Sequence, residues 1–467
     1  MDMEQITPAK VAMICNGIYY GDKSVKDTEV SSITTDSRDI TGGGLFVAIK
    51  GARTDGNKYI MQTYNNGAVC CISELTPQEA LGSTDVLPAG CVFIQVKSCY
   101  QALKDIAGFY RITCGTKIIG ITGSVGKTST KEMVASVLSR HFNTLKTQGN
   151  FNNEVGVPLT LFRLRKEHEV AVVEMGISGF GEMTRLSQIV KPDICIITNI
   201  GQCHLENLGD RDGVLKAKTE IFTSMAKDGM VYLNGDDDKL AQIKEVNGRK
   251  PVFFGTGAGC DVYAENILQK GLEGTYFDAV AGDKRIALHV PVPGIHMVVN
   301  ALAAVAVAAG LGVDAEEIAA GISSFTPAGG HSNIKKTDKF IIMDDCYNAN
   351  PVSMRAAIDV LSCAGTYKTA IIGDMFELGT NEKIMHFDIG AYAVQKGIDC
   401  IICAGALAAQ YVEGALAKDE NHNVLYYKDT EHLLKMLKSI VKEGSQILVK
   451  ASHAMGFDRV VKALEDM

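Results

Sequence analysis

The stretch GITGSVGKTSTKEM, Gly120 to Met133, sets glycines around a Lys-Thr pair. Gly123 and Gly126 permit tight backbone geometry, so successive N–H groups can face an anion. A helix opening near Lys127 adds its positive end. Lys127 can reach terminal phosphates, and the Thr128 hydroxyl can offer an oxygen to Mg²⁺. Ser124 sits inside the same loop and joins the phosphate-binding set. The strict G-x-x-x-x-G-K-[ST] pattern fails, because Ile121 stands where its first glycine belongs. The competing reading is a glycine turn with a surface lysine. A β-branched run before the loop, a helix after it and the adjacent Lys-Thr favour the phosphate cradle.

Two further residues follow apolar runs. AVVEMG places Glu174 after one candidate strand, and IITNIGQCH places His204 just beyond another. In parallel sheets the carboxyl ends of strands gather around ligands. Thr128, Glu174 and His204 are therefore expected to converge on a metal ion, although a lone Glu or His can equally serve the surface or a core hydrogen bond. Lys216 and Lys218 lie in GVLKAKTEIF. Residues two apart do not share a helix face, so at most one points inward. Spacing leaves open which one.

The elements that must position these groups repeat one rhythm. In the first ~110 residues, strands are expected at Leu45 to Ile49, Ala68 to Ile72 and Val92 to Val96, with a helix after Ser98. The second block has buried-strand candidates at Lys117 to Ile121, Val170 to Glu174, Ile194 to Thr198 and Met230 to Leu233, with helical segments between them. An apolar helix around Asn300 to Ala309 closes it, and SSFTPAGG, Ser323 to Gly330, marks a break. The third block has strand candidates at Phe340 to Met343, Thr369 to Ile372, Cys400 to Cys403 and Ile447 to Val449. Its helices fall near Ser353 to Leu361, Lys383 to Lys396 and Glu431 to Val441. The fold class is α/β, with expected domains at 1–112, 113–323 and 324–467. At 467 residues, three domains match a soft prior of ~150 residues each.

Composition narrows the partners. Hydrophobic residues make up 46%, enough for real cores. The formal net charge is −8 with no basic block, which argues against nucleic acid but leaves room for a local basic pocket. The opening MDMEQITPAK lacks a signal-peptide pattern, and the window Val298 to Val313 reads as a buried helix, so no stable membrane insertion is expected. The thirteen cysteines are scattered, and we read them as reduced thiols of a cytoplasmic protein.

The spacing GxxGxxGKT, met by Gly120, Gly123, Gly126, Lys127 and Thr128, resembles that of the Mur ligases, ATP-dependent amide-forming enzymes of peptidoglycan precursor synthesis. TQGNFNNEVGVPLTL (Thr147 to Leu161), DDCYNANPVSM (Asp344 to Met354) and GDMFELG (Gly373 to Gly379) resemble the branch that adds D-alanyl-D-alanine to UDP-N-acetylmuramoyl-tripeptide. TDSR, Thr35 to Arg38, with the following LFVAIKG, is similar to the family's N-terminal nucleotide-sugar domain.

The resemblance implies a three-domain architecture: a mixed α/β UDP-sugar domain, a central P-loop ATPase-like parallel-sheet domain, and a Rossmann-like C-terminal domain for the incoming dipeptide and part of ATP. It implies that Lys127 binds the β- and γ-phosphates and that Thr128, Glu174 and His204 lie near Mg²⁺. It favours Lys218 as the lysine that is carbamylated in several members, since a carbamate, unlike an ammonium, can face Mg²⁺. His296 and Asn300 would lie near adenine. Asp344 would serve the nucleotide, and Asp345, Tyr347, Asn348 and Asn350 the incoming peptide. Ser37, Arg38, Asn150, Asn152 and Asn153 would serve the substrate side. Three positions depart from the family pattern: Met297 after the adenine histidine, His331 after Gly330, and His453 in KASHAMG, where Lys450 is retained.

The implied reaction passes through an acyl phosphate and yields UDP-N-acetylmuramoyl-pentapeptide, ADP and phosphate, the last cytoplasmic peptide addition. A monomer is expected. The alternatives are another Mur-type amino-acid ligase, a non-catalytic ATP-binding scaffold, or an enzyme that only hydrolyses ATP.

Overall fold

A computed structural model of the chain describes residues 3, 5–51, 54–82, 87–327 and 333–467. The described strands form three sheets. The first runs, in spatial order, Ile18–Gly21, Val92–Gln95, Cys70–Ser73, Leu45–Val47 and Ile33–Thr34. Only its Ile18–Gly21 edge is antiparallel. The side chains of Leu45, Phe46 and Val47 are all buried, as strands covered on both faces require. Ser98 caps helix Cys99–Cys114 by accepting a hydrogen bond from the Gln101 N–H at 3.3 Å. This helix carries the first sheet's core onto the second. The Tyr110 hydroxyl donates to the Leu164 carbonyl at 2.8 Å, and Arg111 pairs with Asp193 at 2.8 Å.

The second sheet has nine strands. Its parallel part runs Thr144–Lys146, Val170–Glu174, Lys117–Thr122, Ile194–Ile197, Met230–Asn234, Val252–Gly255 and Val262–Gln269. Strands Thr275–Ala281 and Lys284–Val290 add an antiparallel wing that the sequence reading did not single out. Alternation divides the core. Ile119 and Ile121 face helices Lys127–Leu138 and Ile295–Gly310, while Ile118 faces the opposite layer. Helix Ile295–Gly310 is nearly all buried against Lys127–Leu138, as expected for the alanine-rich window. Among the described residues, no helix is long and apolar enough to cross a membrane.

The third sheet runs Asn333–Lys336, Ile341–Asp344, Gln446–Lys450, Lys368–Gly373, Cys400–Ala404 and Val424–Tyr427. All but its first pair are parallel. Strand Gln446–Lys450 lies between Ile341–Asp344 and Lys368–Gly373, which makes a switch point where ligands gather at carboxyl ends. The break expected at Ser323 to Gly330 begins where helix Ala315–Ser323 ends; Gly330 and His331 lie outside the described residues.

Candidate functional site

Strand Lys117–Thr122 runs straight into the glycine loop, and helix Lys127–Leu138 leaves it. Gly126 is the helix N-cap at φ 81°, with no side-chain cap, so the first-turn N–H groups face outward from the loop. Gly123 has φ 150°, and a Cβ there would fall 1.9 Å from Thr198 Oγ1. Both glycines are therefore required by backbone conformation, by close approach, or by both. The loop is also held from outside. Asn199 Oδ1 accepts from the Val125 N–H at 3.0 Å, and the Thr198 hydroxyl donates to the Val125 carbonyl at 2.6 Å. Lys127 Nζ arches back to the Gly123 carbonyl at 2.8 Å.

Thr128 lies one residue into the helix, facing the end of strand Val170–Glu174. Its hydroxyl donates to the Glu174 carboxylate at 3.0 and 3.2 Å. Asn152 Nδ2 donates to Glu174 Oε1 at 2.9 Å. Lys131, fully buried, brings Nζ to 3.7 Å from Glu174 Oε2 and 3.0 Å from Glu132 Oε1. The sequence reading missed Lys131; its sign is the i, i+4 spacing from Lys127, which sets it one turn deeper on the same helix face.

His204 follows strand Ile194–Ile197 and lines the same cavity. Burial pushes its pKa below the ordinary histidine value, opposed by the nearby Glu377 carboxylate. Lys218 is 1% exposed, whereas Lys216 lies over the Phe180 ring at 5.7 Å. The helix thus resolves the two lysines as their spacing required. Burial, aided by the charge of Lys127, lowers the Lys218 pKa to about 8.

A cavity of about 570 Å³ connects these groups to the third sheet. From the central layer it is lined by Ser124, Gly126, Lys127, Thr128, Glu174 and His204, with Asn152 and Asn153 beside them. His296 and Asn300 also line it, Asn300 directly behind Gly126. The Asn300 amide is engaged: Oδ1 accepts from the Thr130 hydroxyl at 3.1 Å, and Nδ2 contacts Met297 Sδ at 3.6 Å. Met297 is buried beside Asn300 and reaches the cavity only through that contact. Burial lowers the His296 pKa.

The third sheet contributes Asp345, Tyr347, Asn348 and Asn350 to the lining. Asn350 also caps helix Pro351–Ser362, accepting from the Ser353 N–H at 2.9 Å. Lys450, nearly buried, holds this segment by donating to Asp345 Oδ2 at 2.6 Å and to the Asn348 carbonyl at 2.9 Å. His453 stands against the Tyr347 ring, with centroids 5.7 Å apart.

Six expected residues stand outside the lining. Asp344 turns to the opposite face of its strand from Asp345, where its carboxylate meets Cys346 Sγ at 2.9 Å and Lys335 at 3.5 Å. Asn150 reaches the Tyr347 side chain instead of the cavity wall. Gly123 shapes the loop from behind. Ser37 and Arg38 belong to the first sheet's domain, where Arg38 is exposed and pairs with Asp36 at 2.5 Å. Lys218 is buried near Lys127 and Cys203 without lining the cavity. Residues lining it that the sequence reading passed over include Thr198, Asn199 and Asn234, all following apolar strand runs.

The donor set suits Mg²⁺: hydroxyl and carboxylate oxygens beside an anion cradle. Among the described residues, no three His, Cys, Asp or Glu groups close into a metal cage. Mg²⁺ takes one or two carboxylates together with phosphate oxygens and water, so an incomplete protein set fits it.

A strand–glycine loop–helix nucleotide site, joined through one cavity to a second α/β domain, defines an ATP-dependent ligase architecture. Comparison with known proteins makes this specific. Residues 121–308 match the Mur ligase middle domain, 331–453 the Mur ligase glutamate ligase domain, and 29–111 the catalytic domain of the Mur ligase family. The chain belongs to the Mur ligase family. It is 35% identical over 442 residues to the UDP-N-acetylmuramoyl-tripeptide--D-alanyl-D-alanine ligase of Bacillus subtilis, covering 94% of each chain. Its fold is similar to the crystal structure of MurF from Acinetobacter baumannii, with TM-score 0.89, 32% identity and full coverage of both chains. It is also similar to MurF ligase from Thermotoga maritima in complex with ADP, with TM-score 0.78, 29% identity, and coverage of 93% of this chain and 97% of that one.

Proposed function

We propose that this chain joins D-alanyl-D-alanine to UDP-N-acetylmuramoyl-tripeptide at the expense of ATP. The observation that carries the reading is the single cavity in which Lys127, Thr128 and Glu174 face Asp345, Asn348 and Asn350. The phosphate cradle and the groups that would hold an incoming amine thus open onto one space.

The tripeptide carboxylate attacks the γ-phosphorus of ATP, forming an acyl phosphate and releasing ADP. The dipeptide amine then attacks the acyl carbon, and phosphate leaves from the tetrahedral intermediate. The chain's task is alignment and charge neutralisation. Lys127 leaves the Gly123 carbonyl to meet the β- and γ-phosphates. The helix N-terminus and loop N–H groups hold the rest of the triphosphate. Thr128, Glu174, His204 and a carbamylated Lys218 would form the metal side, where Mg²⁺ would supply charge neutralisation for the transferring phosphoryl group. The depressed Lys218 pKa supports the carbamate, because a neutral amine is the form that reacts with carbon dioxide. Asp345, Tyr347, Asn348 and Asn350 orient the dipeptide, and Lys450 holds their segment.

We assign the UDP-sugar to the first domain, 1–112, with Ser37 and Arg38. ATP falls to 113–323, with His296 and Asn300 near adenine, and the dipeptide to 324–467. In this reading, Asn150, Asn152 and Asn153 bridge the tripeptide and metal sides. Docking of the domains excludes water from the acyl phosphate. The enzyme works as a cytoplasmic monomer. Its thirteen cysteines form no disulfide, which fits a reducing compartment, and one chain supplies the whole site.

The test is ADP release together with product mass, using Mg-ATP, D-alanyl-D-alanine and tripeptides ending in meso-diaminopimelate or L-lysine. A product carrying both alanines, with matching ADP, is expected. ATP turnover without that product overturns the acceptor; product from a free amino acid instead points to another Mur-type ligase.

A further inference from the structure

We propose that Glu377 is a positioning residue for His204, so that docking of the third domain completes the metal side of the site. The inference rests on the reading of His204 as a metal-side residue. Its own content is that this placement depends on a carboxylate from another domain.

His204 opens helix Leu205–Leu208 with φ 51°, and Glu377, in GDMFELG, has φ 62°. Both are non-glycine residues in the left-handed region, a strain that persists where surrounding structure imposes it. Glu377 Oε2 lies 2.5 Å from His204 Nδ1. The next residues extend the same contact. Leu205 packs on the third-domain core that includes Met375 and Leu378. At Gly379 an added Cβ would come within 3.6 Å of the Glu206 nitrogen. Three successive central-domain residues thus meet one third-domain loop.

Glu377 does not line the cavity, and its contact there runs to His204. His204 does line the cavity. An imidazole held at Nδ1 offers Nε2 as its remaining ligand atom, and carboxylates placed behind ligating histidines orient the ring and strengthen its basicity. Because Glu377 comes from the third domain, that support exists only in the docked arrangement. Nucleotide-metal binding and domain docking therefore reinforce one another.

The test is calorimetric binding of ADP to the full chain across an Mg²⁺ titration, for the unaltered protein, Glu377→Gln, His204→Gln and the double variant. The near-isosteric Glu377→Gln keeps the backbone and removes the charge. The Mg²⁺ concentration for half-saturation should rise roughly tenfold or more in each single variant. The double variant should be no worse than His204→Gln alone, and metal-free ADP binding should not change in Glu377→Gln. A shift in His204→Gln but not in Glu377→Gln overturns the inference and leaves the metal reading intact. No shift in either overturns both. Equal weakening with and without Mg²⁺ in Glu377→Gln also overturns it, because that marks a general structural effect.

Discussion

The Thr128 hydroxyl donates to both oxygens of Glu174, at 3.2 and 3.0 Å, so the helix start and the neighbouring strand end are already joined at the proposed metal side. Thr128→Val keeps the shape and removes that oxygen. It should lower Mg-dependent ATP turnover roughly 10²-fold, the scale of losing one preorganised polar group at a charged centre. Stability should change by only about 1 kcal/mol, since Asn152 still holds the carboxylate. Turnover against Mg²⁺ concentration, paired with urea unfolding, checks both parts.

Gly123→Ala tests the loop itself. The new Cβ would sit 1.9 Å from Thr198 Oγ1 at a backbone φ of 150°. Thr198 is also a tether of the loop, through the Val125 carbonyl. Relieving the clash must therefore disturb the cradle. ATP binding should disappear, while the fold survives a loss of roughly 1–3 kcal/mol. Calorimetric ATP binding alongside thermal unfolding reads the two effects apart.

Much of the scaffold was legible because its parallel strands are apolar runs buried on both faces, as at Val170–Glu174 and Cys400–Ala404. The antiparallel wing was passed over because its faces alternate. Phe277 and Ala279 are buried while Tyr276 is exposed, which leaves no continuous apolar run. The cradle was legible because its parts are adjacent in sequence. Lys216 and Lys218 could not be separated by spacing, because direction depends on how the helix docks. Asp344 and Asp345 show the same limit on a strand, where neighbours face opposite ways. Partners distant in sequence, such as Asn300 and Thr130, 170 residues apart within the central domain, left no local signal.

Lys450→Met should uncouple the third domain's share of the site. Lys450 and Asp345 are 3% and 15% exposed and 2.6 Å apart. Removing one partner of such a pair costs roughly 3–5 kcal/mol, because the other charge stays buried. The double variant Lys450→Met/Asp345→Asn should recover part of that stability. It should recover none of the activity, since the Asn348 carbonyl also loses its donor. Urea midpoints and the dipeptide KM, measured on single and double variants, decide this.

Lys218 gives a prediction with a definite sign. Its folded pKa of about 8 lies below the ordinary lysine value of 10.5, mainly through burial. In buffer free of carbon dioxide, the unfolded chain binds more protons than the folded one between these values. Stability should therefore rise with pH through that window, by on the order of 3 kcal/mol, and be lowest below pH 8. Lys218→Met should flatten this rise. Bicarbonate should stabilise the unaltered protein most above pH 8, where the folded amine is neutral and free to form the carbamate. The carbamate places an anion beside the Lys127 charge. Denaturant midpoints from pH 7 to 10, with and without bicarbonate, should therefore lie closest at pH 7 and separate as the pH rises through 8. Midpoints that ignore bicarbonate across the whole range would show that Lys218 remains an unmodified amine.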